Sequence, residues 1–179
     1  MRRNTLALLA ALTLALPLAA CGESDNKVTP LIATPSTLAV QAASGTGCPA
    51  GTVTTAVTGN DVTMAYTAFK ATTPGSAARK ACQLNITVSP APGKQAIVVK
   101  AEYAGTATLP GATTGKVRST YYVTGGADLG STAGDLTAPE WSSEQTAPSE
   151  TVTPCGQDSA LNVTTELLAT GAGATAEVV

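Results

Sequence analysis

The sequence predicts an all-β protein, an antiparallel β-sandwich of about seven to nine strands, with a closed barrel as the alternative. Three observations carry that prediction. Apolar residues recur with a period of two and not with the helical period of about 3.6. Gly and Pro punctuate the chain at short intervals. No stretch offers an amphipathic helical stripe longer than two turns, although Thr73 to Lys80 suits a short one.

The first element is not a strand. Met1-Arg2-Arg3 supplies two positive charges, and an apolar run follows from Leu6 to Leu16, interrupted only by Thr13. With a small-residue site at Leu18-Ala19-Ala20-Cys21, this is the three-part pattern of a secretory signal, too short to span a bilayer. The site resembles a bacterial lipobox, in which the cysteine thiol is acylated and becomes the first residue. Residues 1–20 are therefore expected to be a signal peptide and Cys21 the lipidation site. Each buried acyl methylene contributes about 0.8 kcal/mol, so the membrane is an expected partner through the lipid alone. Gly22, where an aspartate favours inner-membrane retention, points to the outer membrane. The expected location is the cell envelope, lipid-anchored and extracytoplasmic.

Residues 21–44 read as the lipidated cysteine and a flexible tether, polar at first, with Leu38 to Ala42 able to add an edge strand. The sandwich domain is expected over 45–179. Val53, Thr55 and Val57 alternate with Thr54 and Ala56, Gly59-Asn60-Asp61 offers turn chemistry, and Val62, Met64, Tyr66 and Ala68 share a face. That predicts a hairpin from 52–58 and 62–69. Further strands are expected at 83–89, 95–109 with a break at Gly105, 117–124 and 160–169.

Composition narrows function. Loss of Arg2 and Arg3 from the ten basic residues leaves eight against twelve acidic ones, a net charge of −4. Nucleic-acid binding needs a basic face, so that partner is not expected. Histidine is absent, which removes Ser-His-Asp and Cys-His catalysis and most zinc catalysts. No cofactor and no metal site are expected. Asp128, Asp135 and Asp158 lie in Gly-rich stretches, but their spacing matches no calcium loop.

The aromatics, one Trp, four Tyr and one Phe, limit the choice of a binding platform. Trp141 in loop-like Pro139-Glu140-Trp141-Ser142 is the first candidate for an exposed ring, with Tyr121 and Tyr122 next. Of two adjacent strand tyrosines, one faces the core and the other solvent. Asn85 and Asn162 sit at equivalent places in two strands, where hydrogen bonding to loop backbone is expected.

Several motifs then resemble one family. Gly45-Thr46-Gly47-Cys48-Pro49, Arg79-Lys80-Ala81-Cys82-Gln83-Leu84-Asn85, Ser119-Thr120-Tyr121-Tyr122, the region of Trp141, and Thr153-Pro154-Cys155-Gly156 with Leu161-Asn162-Val163-Thr164-Thr165-Glu166-Leu167 occur in the order and spacing of a secreted family, domain of unknown function 4360. The chain departs from its pattern at Glu102-Tyr103-Ala104-Gly105-Thr106, and it stops at Val179 where the family pattern continues to a fourth cysteine. The resemblance implies that this missing cysteine is the usual partner of Cys48. On that basis Cys82 and Cys155 are expected to pair, leaving Cys48 a thiol, and the competing pairing is Cys48 with Cys155. The family brings no established activity.

The function expected is a membrane-anchored, non-enzymatic binding or structural module whose partner is an envelope polysaccharide or protein. The alternative is a carboxylate-based glycan hydrolase using Glu102 and Glu166, which needs the two carboxyl groups roughly 5–10 Å apart in one cleft. A third option, a lipid or small-molecule carrier, needs a sizeable apolar cavity.

Overall fold

β-Branched and small residues that alternate along most of the chain suit a pleated, half-buried surface. In the computed structural model, residues 10–13, 37–73, 77–89, 99–126, 128–148 and 157–179 are described; Cys21 and Cys155 lie outside them. The strands are β1 (Ala10–Thr13), β2 (Thr37–Ser44), β3 (Val53–Thr58), β4 (Asp61–Tyr66), β5 (Lys70–Thr72), β6 (Ala77–Ser89), β7 (Lys100–Thr108), β8 (Thr114–Val123), β9 (Asp128–Asp135), β10 (Glu140–Thr146), β11 (Ser159–Thr170) and β12 (Thr175–Val178). They form a five-stranded sheet in the order β2-β6-β11-β8-β9, a four-stranded sheet β10-β7-β12-β5 and a small sheet β1-β4-β3. Among the described residues every pairing is antiparallel and no sheet closes on itself, so the architecture is a sandwich and not a barrel.

The core lies between the layers. Leu84 and Ile86 of β6, Leu161, Val163 and Leu167 of β11 and Val117 and Tyr121 of β8 face Ala101, Tyr103 and Ala107 of β7 and Ala176 and Val178 of β12. Tyr103 joins the layers by polar contacts. Its hydroxyl accepts a 2.8 Å hydrogen bond from Ser119 Oγ and lies 2.9 Å from Thr165 Oγ1, both on the five-stranded sheet. Met64 and Tyr66 close the same space from the small sheet, around a cavity of about 10 Å³. That holds about one water, which leaves no room for cargo there.

The β3–β4 hairpin and the β6, β8 and β11 strands match the expected alternation, and the edge strand expected at the end of the tether is β2. Two local expectations fail. Residues 77–80, expected in a short helix, begin β6, where Ala77 to Lys80 pair with Leu167 to Thr170 of β11. Gly105 does not interrupt β7. A Cβ there would lie 1.9 Å from the Glu177 carbonyl oxygen and 2.7 Å from the Trp141 ring, so the glycine admits those neighbours without ending the strand.

β1 pairs Ala10–Thr13 with Asp61–Met64. It falls inside the segment expected from sequence to be a signal peptide.

The disulfide corrects the expected pairing. Cys82 bonds to Cys48, with 5.4 Å between their Cα atoms, and not to Cys155. The cause is the turn after β2. Ser44 pairs with Gln83, and the chain then folds back along β6, with Gly47 N donating to Ala81 O at 2.8 Å and Ala81 N donating to Thr46 Oγ1 at 3.1 Å. A side chain at Gly47 would sit 2.4 Å from the Phe69 ring. This tight approach delivers Cys48 to Cys82 in the core, where both are buried. Cys48 is therefore not the free thiol.

Candidate functional site

The outward face of the five-stranded sheet carries a connected field of amides and hydroxyls. Register places Ala42 of β2, Asn85 of β6, Asn162 of β11 and Tyr122 of β8 in one row across the strands. Gln83, Thr164 and Thr120 form the next row, and Ser131 of β9 continues it. These residues alternate with the inward Leu84, Val163 and Tyr121, so the period of two that builds the core also builds this face.

Hydrogen bonds fix it. Gln83 Nε2 donates to the Tyr122 hydroxyl at 2.8 Å and to Asn162 Oδ1 at 3.3 Å. Asn85 Nδ2 donates to the same Oδ1 at 2.9 Å. Asn162 Nδ2 donates to Thr124 Oγ1 at 2.9 Å and to the Ala160 carbonyl at 3.3 Å. Thr120 and Ser131 share a 2.9 Å hydroxyl contact. β6 and β8 are separated by β11, so the Gln83–Tyr122 bond bridges over that strand. Asn162 lies beneath it, only 3% exposed although it points outward. Its own four hydrogen bonds leave it no role except to hold its neighbours. The half-buried Tyr122 keeps part of its ring at the surface.

The ion pairs of this face lie at its other end, where Arg79 pairs with Glu166 and Lys116 with Asp135 at 3.1 Å. The amide rows themselves carry no Lys or Arg, and the acidic group at their edge is the exposed Asp128 of β9, opposite Tyr122.

The remaining candidates separate. Tyr121 and Trp141 are core residues, 0% and 4% exposed, so neither offers a ring to a ligand. Trp141 was expected in a loop, but it points inward from β10, whose other inward positions are the polar Ser143 and Gln145. Gln145 is buried and bonded, its Nε2 donating to Val117 O at 3.1 Å and its Oε1 accepting from Thr132 Oγ1 at 3.0 Å. Burial raises the hydroxyl pKa of Tyr66, Tyr103 and Tyr121 above the usual tyrosine value, keeping all three neutral.

Glu166 projects from the outer face of the five-stranded sheet. Glu102 projects from the outer face of the four-stranded sheet, where Lys100 binds it at 2.9 Å and Glu144 at 2.7 Å. Hydrogen bonds from Lys100 to Glu102, then to Glu144, raise the lysine pKa. The two glutamates lie on opposite sides of the molecule, so they cannot flank one glycosidic bond. Among the described residues no group of acidic or cysteine side chains is arranged to hold a metal ion. Asp128 instead accepts a 2.8 Å hydrogen bond from Gly130 N.

Sequence reasoning missed a groove of about 240 Å³ at the free edge of β2, lined by Val40, Gln41, Ala42 and Ala43 and by Pro49, Gly51, Val53 and Thr55. Its signal is a β-bulge. Val40 pairs with Ile86 and Ala42 with Asn85, so Gln41 has no partner on β6.

The fold is that of a β-sandwich domain with a hydrogen-bonded polar face on its five-stranded sheet. The chain belongs to the family described as Domain of unknown function (DUF4360), whose model matches residues 36–179. None of the curated proteins matches it. Among solved structures it is similar to a carbohydrate-binding module, in "Structure of TmCBM61 in complex with beta-1,4-galactotriose at 1.4 A resolution", with a TM-score of 0.35, 12% identity, and 81% of this chain and 84% of that chain covered.

Proposed function

We propose that this protein is a lipid-anchored envelope module that binds a polysaccharide through the outward face of its five-stranded sheet. The observation that carries the reading is the Gln83–Tyr122 bond over β11. It holds one aromatic ring on a field of uncharged donors and acceptors, the combination that sugars require: an apolar face for their C–H groups and fixed polar groups for their hydroxyls. The field is bonded together before any ligand arrives, so little side-chain entropy is lost on binding. Cys21 supplies the anchor and the segment after it the reach. The experiment is a binding panel of neutral and acidic polysaccharides on the purified protein and its Tyr122→Ala variant. Wild type binds at least one member and the variant binds it about tenfold or more weakly; equal binding by both places the ligand elsewhere.

A further inference from the structure

We infer that the groove at Gln41 is the far end of the same binding face, and that the ligand is an extended run of a neutral polysaccharide and not a single sugar or disaccharide. The inference rests on the reading above and adds to it a second contact region and a ligand class.

Continuity is the first argument. Ala42 lines the groove and is also the register neighbour of Asn85, so the groove opens where the row Asn85, Asn162, Tyr122 ends. Row and groove form one path across the sheet. From β8 to β2 this path crosses three inter-strand spacings, about 14 Å at ~4.8 Å each. A disaccharide on Tyr122 stops short of the groove, whereas a longer chain lying across the strands enters it.

The second argument is the bulge. An extra residue in an edge strand re-aims a side chain. Here it adds the exposed, uncharged Gln41 amide to the lining of the groove. The partly buried Val40, Ala43 and Val53 give that lining an apolar component.

Rigidity is the third. The opposite wall, Pro49 to Val53, follows Cys48, whose disulfide to Cys82 ties it to β6. Thr52 Oγ1 donates to the Pro49 carbonyl at 2.7 Å, and Thr67 N donates to the Thr52 carbonyl at 3.0 Å. A groove held in this way does not have to be ordered by its ligand. Neither the groove lining nor the amide row contains Lys or Arg, and the charged residue at the far end of the row, the exposed Asp128 opposite Tyr122, is itself acidic, so the polar contacts suit hydroxyl groups and offer no counter-charge to a uronate or sulfate.

The test is titration calorimetry on the protein purified as expressed, in detergent, with β-1,4-linked gluco-, manno- and galacto-oligosaccharides of two to six units. Wild type, Gln41→Ala and Tyr122→Ala are compared. Affinity in at least one series is expected to rise about tenfold between two and five units. Gln41→Ala abolishes that rise while leaving disaccharide binding unchanged, and Tyr122→Ala weakens every length. If affinity levels off at two units and Gln41→Ala matches wild type while Tyr122→Ala still weakens binding, the groove is overturned and the face stands. If no series binds, or Tyr122→Ala binds as wild type does, both readings fall. Circular dichroism of the two variants confirms that each change is local.

Discussion

The amide of Gln83 reaches the hydroxyl of Tyr122 at 2.8 Å across an intervening strand, although the two residues are 39 apart in sequence. This bond fixes the ring on which the proposed site depends. Substituting Gln83 by Ala frees the phenol and removes one of the two side-chain donors to Asn162 Oδ1. Ligand affinity should fall about threefold to tenfold, and stability by about 1 kcal/mol. Parallel binding and urea-unfolding measurements separate the two effects. A large stability loss with unaltered affinity contradicts the positioning role.

The disulfide closes a separation of 34 residues. In the chain-entropy model a loop of that size stabilises by about 3–4 kcal/mol. Cys48→Ser should therefore lower the unfolding free energy by about that amount, and peptide mapping of the oxidised protein should recover Cys48 linked to Cys82. Recovery of Cys82 linked to Cys155 contradicts the structure.

Tyr103 contributes to the alkaline pH dependence of the fold. Its hydroxyl is buried and bonded to Ser119 and Thr165, and burial raises its pKa, as it does for Tyr66 and Tyr121. The unfolded chain releases these protons near pH 10 and the folded protein holds them to higher pH. Stability is then fully present below about pH 10 and is lost as pH rises above it. Tyr103→Phe should flatten part of that alkaline loss. At neutral pH it costs about 1–3 kcal/mol, because the two hydroxyls on the facing sheet lose a partner. Unfolding curves at pH 8 and pH 11 test both statements.

The anchor is tested separately. Radiolabelled palmitate should appear on the wild-type protein and be absent from Cys21→Ala, which should leave the membrane fraction. Equal labelling of the two contradicts lipidation at Cys21.

How much of this was legible in the sequence depended on what faced inward. In β6, β8 and β11 the inward positions are Leu, Ile, Val and Tyr, so alternation announced the strands. In β10 two of the three inward positions are Ser143 and Gln145, and the strand read as a loop with Trp141 exposed. In β9 the positions facing Gln145 and Ser143 are Thr132 and Gly134, which carry no apolar signal. Tyr122 was legible as half of an adjacent pair, because strand geometry sends one tyrosine inward and the other out. Its partnership with Gln83 was not, since strand order β6-β11-β8 cannot be read from local pattern. The disulfide was hidden for a related reason. What decides it is the return of the chain along β6 after Ser44, a tertiary contact between Gly47 and Ala81 that no cysteine spacing encodes.

The most direct test of the central claim is an NMR titration of the ¹⁵N-labelled protein with the soluble polysaccharide fraction of its own envelope, following the side-chain amides. The account predicts saturable shifts of the Gln83, Asn85 and Asn162 side-chain signals and of the Thr120 and Tyr122 backbone, with Glu102, Glu144 and Glu177 on the opposite face unmoved. Shifts confined to that opposite face, or none at saturating polysaccharide, contradict it.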